Sequence, residues 1–258
     1  MEPLRHIGRR HIHLAVTDST NTRAAEFAND PANAGTVVTA DLQVRGRGQH
    51  GRVWESPPGV SVLMSALVFP PPELRRPAIL TAWAGVVVGE TVLQVTGQQS
   101  KIKWPNDLLL RGKKVCGILI ECGVAPIRGE PKASDPHFVV GIGLNVNQSA
   151  DDFARQGLPD ATSLSLAVRR KLDVEEISGL LIRNLDAEYD RLLHDEVEAL
   201  EACWKWRVGL LGRPVTAELM DATEVRGRLV EMGFAGLDVE RPDGTALRLV
   251  PEEVRHLR

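Results

Sequence analysis

Aromatic residues and cysteines are scarce in this 258-residue chain. Aromatic side chains make up 4% of the residues, and the sequence contains three cysteines, Cys116, Cys122 and Cys203. The cysteines are odd in number, lack CxxC spacing and accompany no secretory signal, so neither a disulfide framework nor a zinc site is indicated. We therefore expect a reducing, cytoplasmic environment.

The sequence also lacks a long apolar run and a strong excess of charge of one sign. Its longest apolar segments, residues 78–89 and 115–120, are shorter than the roughly 20 residues that span a bilayer. A formal net charge of −3 provides no general attraction to nucleic acid or to an anionic membrane. We expect neither DNA nor a membrane as a partner.

Basic residues cluster only near the amino terminus. The cluster comprises Arg5, His6, Arg9, Arg10, His11 and His13. Arginine and histidine interrupt any apolar run that a signal peptide would need, so secretion is not indicated. We expect this segment to be a frayed, solvated terminus.

Length and periodicity predict an α+β chain with a small second unit. Helical spacing of apolar residues covers residues 77–95 and 174–193. A shorter helix is predicted to follow the cap residues Ser19, Thr20 and Asn21 and to continue through Asn29. Strand-like runs cover residues 36–42, 60–69, 102–110, 114–124 and 137–147. The polar stretch 126–136 is predicted to be an exposed loop.

Beyond residue 208 the pattern changes to short alternating runs separated by turn residues. These runs cover residues 215–220, 225–232, 237–240 and 246–250. Alternation over short runs is typical of strands in small sheets and barrels. We predict a catalytic domain over residues 1–208 and a small, SH3-like β-barrel over residues 209–258.

A glycine-rich segment, Gly46–Val53, matches both a dinucleotide fingerprint and the glycine-rich loop of protein kinases. A dinucleotide fingerprint opens directly into a helix, but Pro57 and Pro58 follow here and stop a helix within its first turn. The kinase lysine, HRD and DFG motifs are absent from the sequence. Neither interpretation holds.

The same segment has the chemistry of an anion-binding loop. Glycines allow backbone N–H groups to approach an anion, and Arg47 and Arg52 add positive charge. A phosphate or adenylate ligand fits this chemistry, and a surface turn with solvated arginines is the alternative.

Five motifs occur in an order that resembles the biotin protein ligases. They are Ser19-Thr20-Asn21, Gln43 with Gly46-Arg47-Gly48 and Gly51-Arg52 before Trp54, residues 103–107 (KWPND), residues 114–121 (KVCGILIE) and residues 141–147 (GIGLNVN). The resemblance covers nearly the whole chain. It implies a mixed β-sheet packed with helices, the class II synthetase-like biotin and lipoate ligase fold. Only eighteen residues precede Ser19, so the chain resembles the monofunctional class without an N-terminal DNA-binding domain.

The resemblance also implies an activity. Biotin and ATP, with Mg²⁺, form biotinyl-5′-AMP, and the biotinyl group is then transferred to a lysine of a biotin carboxyl carrier protein or domain. A homodimer is possible in this family, but no residue of the sequence decides it. No metal ligands are assigned.

The site residues follow from their positions in the family motifs. The catalytic group is Lys114, Arg47, Arg52 and Asp107. The biotin-binding group is Ser19, Thr20, Asn21, Gln43, Gly46, Arg47, Gly48, Lys114 and Gly117. The ATP- and adenylate-binding group is Arg47, Arg52, Trp54, Asn106, Lys114 and Asn145. Two alternatives remain open, since Ser19 to Asn21 also suit a helix cap and Asp107 also suits a turn.

Other activities fit the same fold. A lipoate ligase or an octanoyl transferase also modifies a lysine of a carrier domain, the transferase through a cysteine nucleophile. Cys116 lies close to Lys114, but an apolar strand raises a thiol pKa and leaves the thiol inert. A non-catalytic biotin sensor is a third class, and the retained Lys114, Arg47 and Arg52 argue against it.

The sequence departs from the family pattern at Gln49 and His50, where relatives usually carry arginines. The first of those arginines pairs with the carboxylate corresponding to Asp107, and Gln49 cannot form that ion pair. A hydrogen bond to a charged group contributes roughly 1.5–3 kcal/mol and a neutral one about 1 kcal/mol, so retention of the adenylate is weakened. We predict that Gln49→Arg slows escape of biotinyl-adenylate several-fold in single-turnover release assays without acceptor. Unchanged or faster escape would contradict this expectation.

Overall fold

Seven strands form a mixed sheet in this computed structural model. The structure describes residues 3–127 and 130–258. For residues 125–127 and 130–135 it describes the backbone alone. In chain order they are β1 (His11–Thr17), β2 (Val37–Gln43), β3 (Ser61–Val68), β4 (Ser100–Lys103), β5 (Asp107–Leu110), β6 (Lys113–Ile127) and β7 (Glu130–Asn145). Their order across the sheet is β1-β2-β3-β7-β6-β5-β4. β1 pairs with β2 in parallel, and every other pair of neighbours is antiparallel.

Six α-helices accompany this sheet within the described residues. They are α1 (Thr20–Ala25), α2 (Pro77–Thr96), α3 (Ala150–Arg155), α4 (Leu164–Val168), α5 (Val174–Leu193) and α6 (Val197–Val208). The predicted helices at residues 77–95 and 174–193 are confirmed as α2 and α5. The helix predicted to continue to residue 29 ends at Ala25.

Helix α2 is the central core element. It contacts β6 of the sheet, α5 and α6, and the consecutive residues 82–89 are all buried. By length and composition alone this helix would suffice to cross a membrane. Its burial on several sides explains that composition, because a helix packed between layers loses the polar face of a surface helix.

Residues 214–257 form a second sheet of five antiparallel strands. These are β8 (Pro214–Leu219), β9 (Glu224–Gly233), β10 (Gly236–Glu240), β11 (Ala246–Leu249) and β12 (Val254–Leu257), in the order β11-β10-β9-β8-β12. The predicted strands of this region are confirmed, and closure into a barrel stays a prediction. The division into domains at residues 208 and 209 also stays a prediction.

The two sheets share a continuous core. Trp204 of α6 stacks on Phe234, with ring centroids 5.1 Å apart. The indole of Trp104 donates from Nε1 to the carbonyl oxygen of Val254 at 2.7 Å. Trp83 is completely buried and Trp104 nearly so, and both belong to this core.

Two predicted segments are corrected by the structure. The strand expected over residues 102–110 is two strands, β4 and β5, because a turn at residues 104–106 separates them. The loop expected over residues 126–136 is largely strand, since β6 extends to Ile127 and β7 begins at Glu130. Continuous antiparallel pairing of β6 with β7 outweighs the turn-forming composition of that stretch.

The expectation of a frayed amino terminus is wrong for the described residues. β1 pairs with β2 over His11–Thr17, and Ile7 is 1% exposed. The carboxylate of Asp186 in α5 accepts hydrogen bonds from the backbone N–H groups of Arg5 (2.9 Å), His6 (2.6 Å) and Ile7 (2.7 Å). A single buried carboxylate therefore fixes the segment that leads into β1.

We predict that Asp186→Ala lowers the free energy of unfolding by about 3 kcal/mol, because partly or fully buried N–H groups lose a charged acceptor. Urea denaturation measures this loss. Asp190→Ala is the matched control, since Asp190 lies one turn later and pairs with the side chains of Arg5 and His6. Such partly exposed ion pairs contribute little to stability. Equal losses in the two variants would contradict the role of Asp186.

Candidate functional site

A cavity of about 600 Å³ opens on the seven-stranded sheet. Its floor is formed by β6 and β7, and one wall by the beginning of α1. The glycine loop, defined here as residues 46–53, forms a second wall. The segment 153–161 forms a third, and His256 of β12 reaches the rim. The cavity therefore collects residues that are far apart in the sequence.

The floor consists of glycines on one face of β6 and β7. Gly117 pairs with Gly143 across the two strands. A Cβ atom on Gly143 would lie 2.5 Å from the Trp54 indole, and one on Gly141 would lie 2.3 Å from Oδ1 of Asn21. Side chains alternate between the faces of a strand, so Cys116 and Leu144 point into the core, and the cavity face carries the three glycines beside Leu119.

A polar cluster fills the end of the cavity beside α1. The backbone N–H and the hydroxyl of Thr20 both donate to Oε1 of Gln43, at 2.7 and 3.0 Å. The hydroxyl of Ser65 lies 2.7 Å from Oγ1 of Thr20 and 2.5 Å from Oδ1 of Asn21. Gln43 keeps its two N–H donors for other partners, so this end of the cavity suits a polar ring.

Ser19 stands at the N-cap position of α1, but its side chain makes no capping hydrogen bond. The residue is 3% exposed and lines the cavity. The capping alternative therefore does not explain the Ser19 hydroxyl.

The glycine loop is a short hairpin. Gly48 N–H donates to the carbonyl oxygen of Arg52 at 2.7 Å, and Trp54 N–H donates to that of Gly46 at 3.0 Å. His50 at its tip has a φ of +56°. Because the strands of the hairpin pair with each other, the loop forms a distinct flap over the sheet.

The two arginines of this flap have different environments. Arg47 forms a two-pronged ion pair with Glu121, at 3.1 Å from Nε and 2.9 Å from an Nη atom, and donates to the Thr22 hydroxyl. Asn21 donates to the same carboxylate at 2.9 Å. Within the described part of the chain, the Arg52 side chain has no hydrogen bond or ion pair. Arg52 is therefore the free cation of the flap.

Lys114 and Asp107 form an ion pair beside the floor. Nζ of Lys114 lies 2.6 Å from a carboxylate oxygen of Asp107, and both side chains are partly exposed. Asp107 is held by its strand pairing with Gly117. Nζ also lies 5.7 Å from the centroid of the Trp54 ring. The ammonium group is thus fixed between a carboxylate and the aromatic lid of the glycine floor.

The backbone of Lys114 connects the floor to the third wall. Its N–H donates to the carbonyl oxygen of Asp160 at 2.7 Å, and its own carbonyl oxygen accepts from Thr162 N–H at 2.8 Å. Asn145 donates from Nδ2 to the Thr162 carbonyl oxygen at 3.1 Å. Asn106 donates to the carbonyl oxygen of Ile118 at 2.6 Å. Both asparagines line the cavity.

Cys116 does not face the cavity. It is fully buried, and this burial raises the pKa of its thiol far above the ordinary range, despite the nearby Lys114 ammonium. A thiol that stays protonated is a poor nucleophile. The arrangement does not support a cysteine-based transferase.

The structure brings together all of the sequence-predicted site residues except Gly46, which lies behind Trp54 and does not line the cavity. Sequence reasoning missed Ser65, Glu121, His256 and the third wall. Ser65 and Glu121 left a signal, since each is a polar residue within an otherwise apolar strand. His256 left none, because only the placement of the second sheet brings it to the rim, where burial lowers the pKa of its imidazole.

Comparison with known proteins places this site in a family. A model of the biotin/lipoate A/B protein ligase family matches residues 13–130. The chain is 30% identical to the biotin–[acetyl-CoA-carboxylase] ligase of Mycobacterium tuberculosis, over 95% of this chain and 88% of that protein. It is 34% identical to the bifunctional ligase/repressor BirA of Bacillus subtilis over 84% of this chain, and it spans 65% of that relative's length.

A solved structure shows the same architecture. The biotin protein ligase from Aquifex aeolicus in complex with biotin and ATP superimposes with a TM-score of 0.77 and 27% identity. The match covers 97% of this chain and 99% of that one. The fold and the family predicted from the five motifs are confirmed, and the chain belongs to the biotin protein ligases of the biotin/lipoate A/B protein ligase family.

Proposed function

We propose that this chain is an ATP-dependent biotin protein ligase that forms biotinyl-5′-AMP and transfers the biotinyl group to a lysine of an acceptor protein. The observation that carries the proposal is the Lys114–Asp107 pair, 2.6 Å apart, beside Gly117 of the cavity floor. A cation for a phosphate and a carboxylate for an incoming amine are the two charges that this chemistry needs.

In the first step an oxygen of the biotin carboxylate attacks the α-phosphorus of ATP, and pyrophosphate leaves. Negative charge accumulates on the reacting groups, so fixed cations stabilise the transition state. Lys114 supplies one such cation from the floor. Arg52 supplies another because no protein carboxylate holds it among the described residues. Arg47 stabilises the transition state only if the ligand displaces its guanidinium from the Glu121 carboxylate.

In the second step the acceptor amine attacks the carbonyl carbon of the mixed anhydride, and AMP leaves with the bonding electrons. The attacking nitrogen must lose a proton as the amide forms. The Asp107 carboxylate is the base nearest to Lys114 and accepts this proton.

The substrates fit complementary parts of the cavity. Ser19, Thr20 and Gln43 offer donors and acceptors for the ureido ring of biotin, and Asn21, Gly48 and Gly117 border its path along the floor. Biotin has an apolar body, which suits the apolar surface that the Trp54 indole presents where it packs on Gly117 and Gly143. Asn106 and Asn145 would bind the nucleotide.

Magnesium would accompany the nucleotide in this proposal. Among the described residues, no group of three or more histidine, cysteine, aspartate or glutamate side chains is arranged to hold a metal ion. Magnesium usually retains several waters and is bound through one or two carboxylates and substrate phosphates. The residues therefore fit an ion held mainly by the triphosphate, where it would neutralise phosphate charge.

The acceptor in this proposal is a biotin carboxyl carrier protein or domain, as the name of the Mycobacterium tuberculosis relative suggests. The absence of DNA and membrane partners, a homodimeric state and a cytoplasmic location remain predictions. A lipoate ligase or an octanoyl transferase is the competing activity, since both belong to the matched family by its name.

The test of function is incubation of the chain with a carrier domain, ATP and Mg²⁺ and with biotin, lipoate or an octanoyl donor in separate reactions. Mass spectrometry of the carrier reports the product. We expect the mass of one biotinyl group, only when ATP is present. Lipoylation alone, or octanoylation without ATP, would contradict the proposal.

We predict that Lys114→Ala lowers kcat/KM for biotin-dependent pyrophosphate exchange about 100-fold, equivalent to about 3 kcal/mol of lost transition-state stabilisation. Lys101→Ala is the control, because Lys101 is exposed on β4 and does not line the cavity. Both variants should keep the circular dichroism spectrum of the parent. Near-normal exchange by Lys114→Ala would remove this lysine from the mechanism.

A further inference from the structure

A buried glutamine lies directly behind the cavity. Gln148 follows the end of β7 by three residues, is 2% exposed and does not line the cavity. Its Nε2 donates to Oδ1 of Asn145 at 2.9 Å and to Oγ of Ser61 at 2.6 Å. Its Oε1 is buried and has no hydrogen-bond partner among the described residues.

The orientation of the Gln148 amide is set by Asn145. Turning the amide by 180° would place Oε1 against Oδ1 of Asn145, so two acceptors would face each other with no proton between them. The observed orientation avoids this contact and leaves Oε1 unpaired. Buried polar groups are normally hydrogen-bonded, so an apolar residue of the same size would serve packing better. The glutamine therefore has a role beyond packing.

The amide of Asn145 is held at both ends. Its Oδ1 accepts from Gln148, and its Nδ2 donates to the carbonyl oxygen of Thr162. That carbonyl is itself fixed, because Thr162 N–H donates to the backbone of Lys114. An amide has two N–H donors and an oxygen with two lone pairs. One donor and one lone pair of Asn145 thus remain for a ligand in the cavity.

We infer that Gln148 is a positioning residue that locks the Asn145 amide and so makes the cavity select adenine over a 6-oxopurine. The inference rests on the proposed function, in which Asn145 binds the nucleotide, and it assigns the purine base to the free donor and lone pair of that amide. Adenine presents an amino donor at N6 beside the N7 acceptor, whereas guanine presents an acceptor at O6. When the Asn145 amide is locked, its oxygen accepts a hydrogen bond from the amino group at N6 of adenine. With hypoxanthine or guanine the same oxygen faces O6, so two acceptors oppose each other and no hydrogen bond forms.

The test compares ATP with inosine triphosphate in biotin-dependent pyrophosphate exchange, for the parent chain and for Gln148→Met. Methionine keeps the approximate shape and removes both polar atoms. We expect the parent to prefer ATP, and we expect the ratio of the two kcat/KM values to fall about tenfold in the variant, as for one mismatched hydrogen bond. KM for biotin should not change. The variant should fold, since it loses an unpaired buried oxygen, and Gln148→Leu serves as a second variant.

Ser56→Ala is the matched control. The Ser56 hydroxyl belongs to the same buried cluster, at 2.8 Å from Oγ of Ser61, and accepts a long hydrogen bond of 3.4 Å from Nε2 of Gln148. Among the described residues it makes no hydrogen bond to Asn145. We expect this variant to keep the nucleotide preference of the parent. If Ser56→Ala also lost the preference for ATP over inosine triphosphate, the cause would be a general disturbance of the cluster, and the inference would be overturned.

The outcomes separate this inference from the proposed function. A parent chain without nucleotide preference, or a Gln148→Met variant that loses the same factor with both nucleotides, overturns the inference while exchange with ATP and biotin upholds the ligase activity. Absence of biotin-dependent exchange in the parent overturns both.

Discussion

The site depends on antiparallel pairing of two long strands that are apolar on the core face and rich in glycine on the cavity face. On the core face of β6 and β7, Cys116, Ile118 and Leu144 pack within the hydrophobic core. On the cavity face the strands carry glycine at 117 and 143, where any side chain would collide with Trp54. Because strand side chains alternate, a register shift of one residue would fill the cavity and empty the core. The requirement for a core therefore also fixes the cavity.

Charge in the cavity is arranged in pairs that a ligand can redistribute. Lys114 pairs with Asp107, and Arg47 pairs with Glu121. Each carboxylate lies on a strand of the sheet and each pair is partly exposed, so neither cation is locked by burial. An anionic ligand can draw the cation away from its carboxylate with little loss of free energy, since exposed ion pairs contribute little stability. The pairs hold the cations near the floor without neutralising them permanently.

Much of this arrangement could be predicted from the sequence. The five motifs identify the residues that line the cavity, because glycine, lysine and amide residues recur there in a fixed order. The ordered amino terminus could not be predicted, since it depends on Asp186, which is 179 residues away from Ile7. The strand structure at the far end of β6 and β7 could not be predicted either, because its local composition is that of a loop. Pairing between the two strands determines its structure. Gln148 left no signal, since its role follows from what its two amide atoms face in the folded chain.

The most direct test of the account is a crystal structure with a non-hydrolysable biotinyl-adenylate analogue. We expect the analogue to lie against the Trp54 indole where that ring covers Gly117 and Gly143, with its ureido ring at Thr20 and Gln43 and its acyl-phosphate mimic at Lys114. An analogue bound outside the cavity, or one that does not contact Lys114, would contradict the assignment of this cavity as the site of biotin activation.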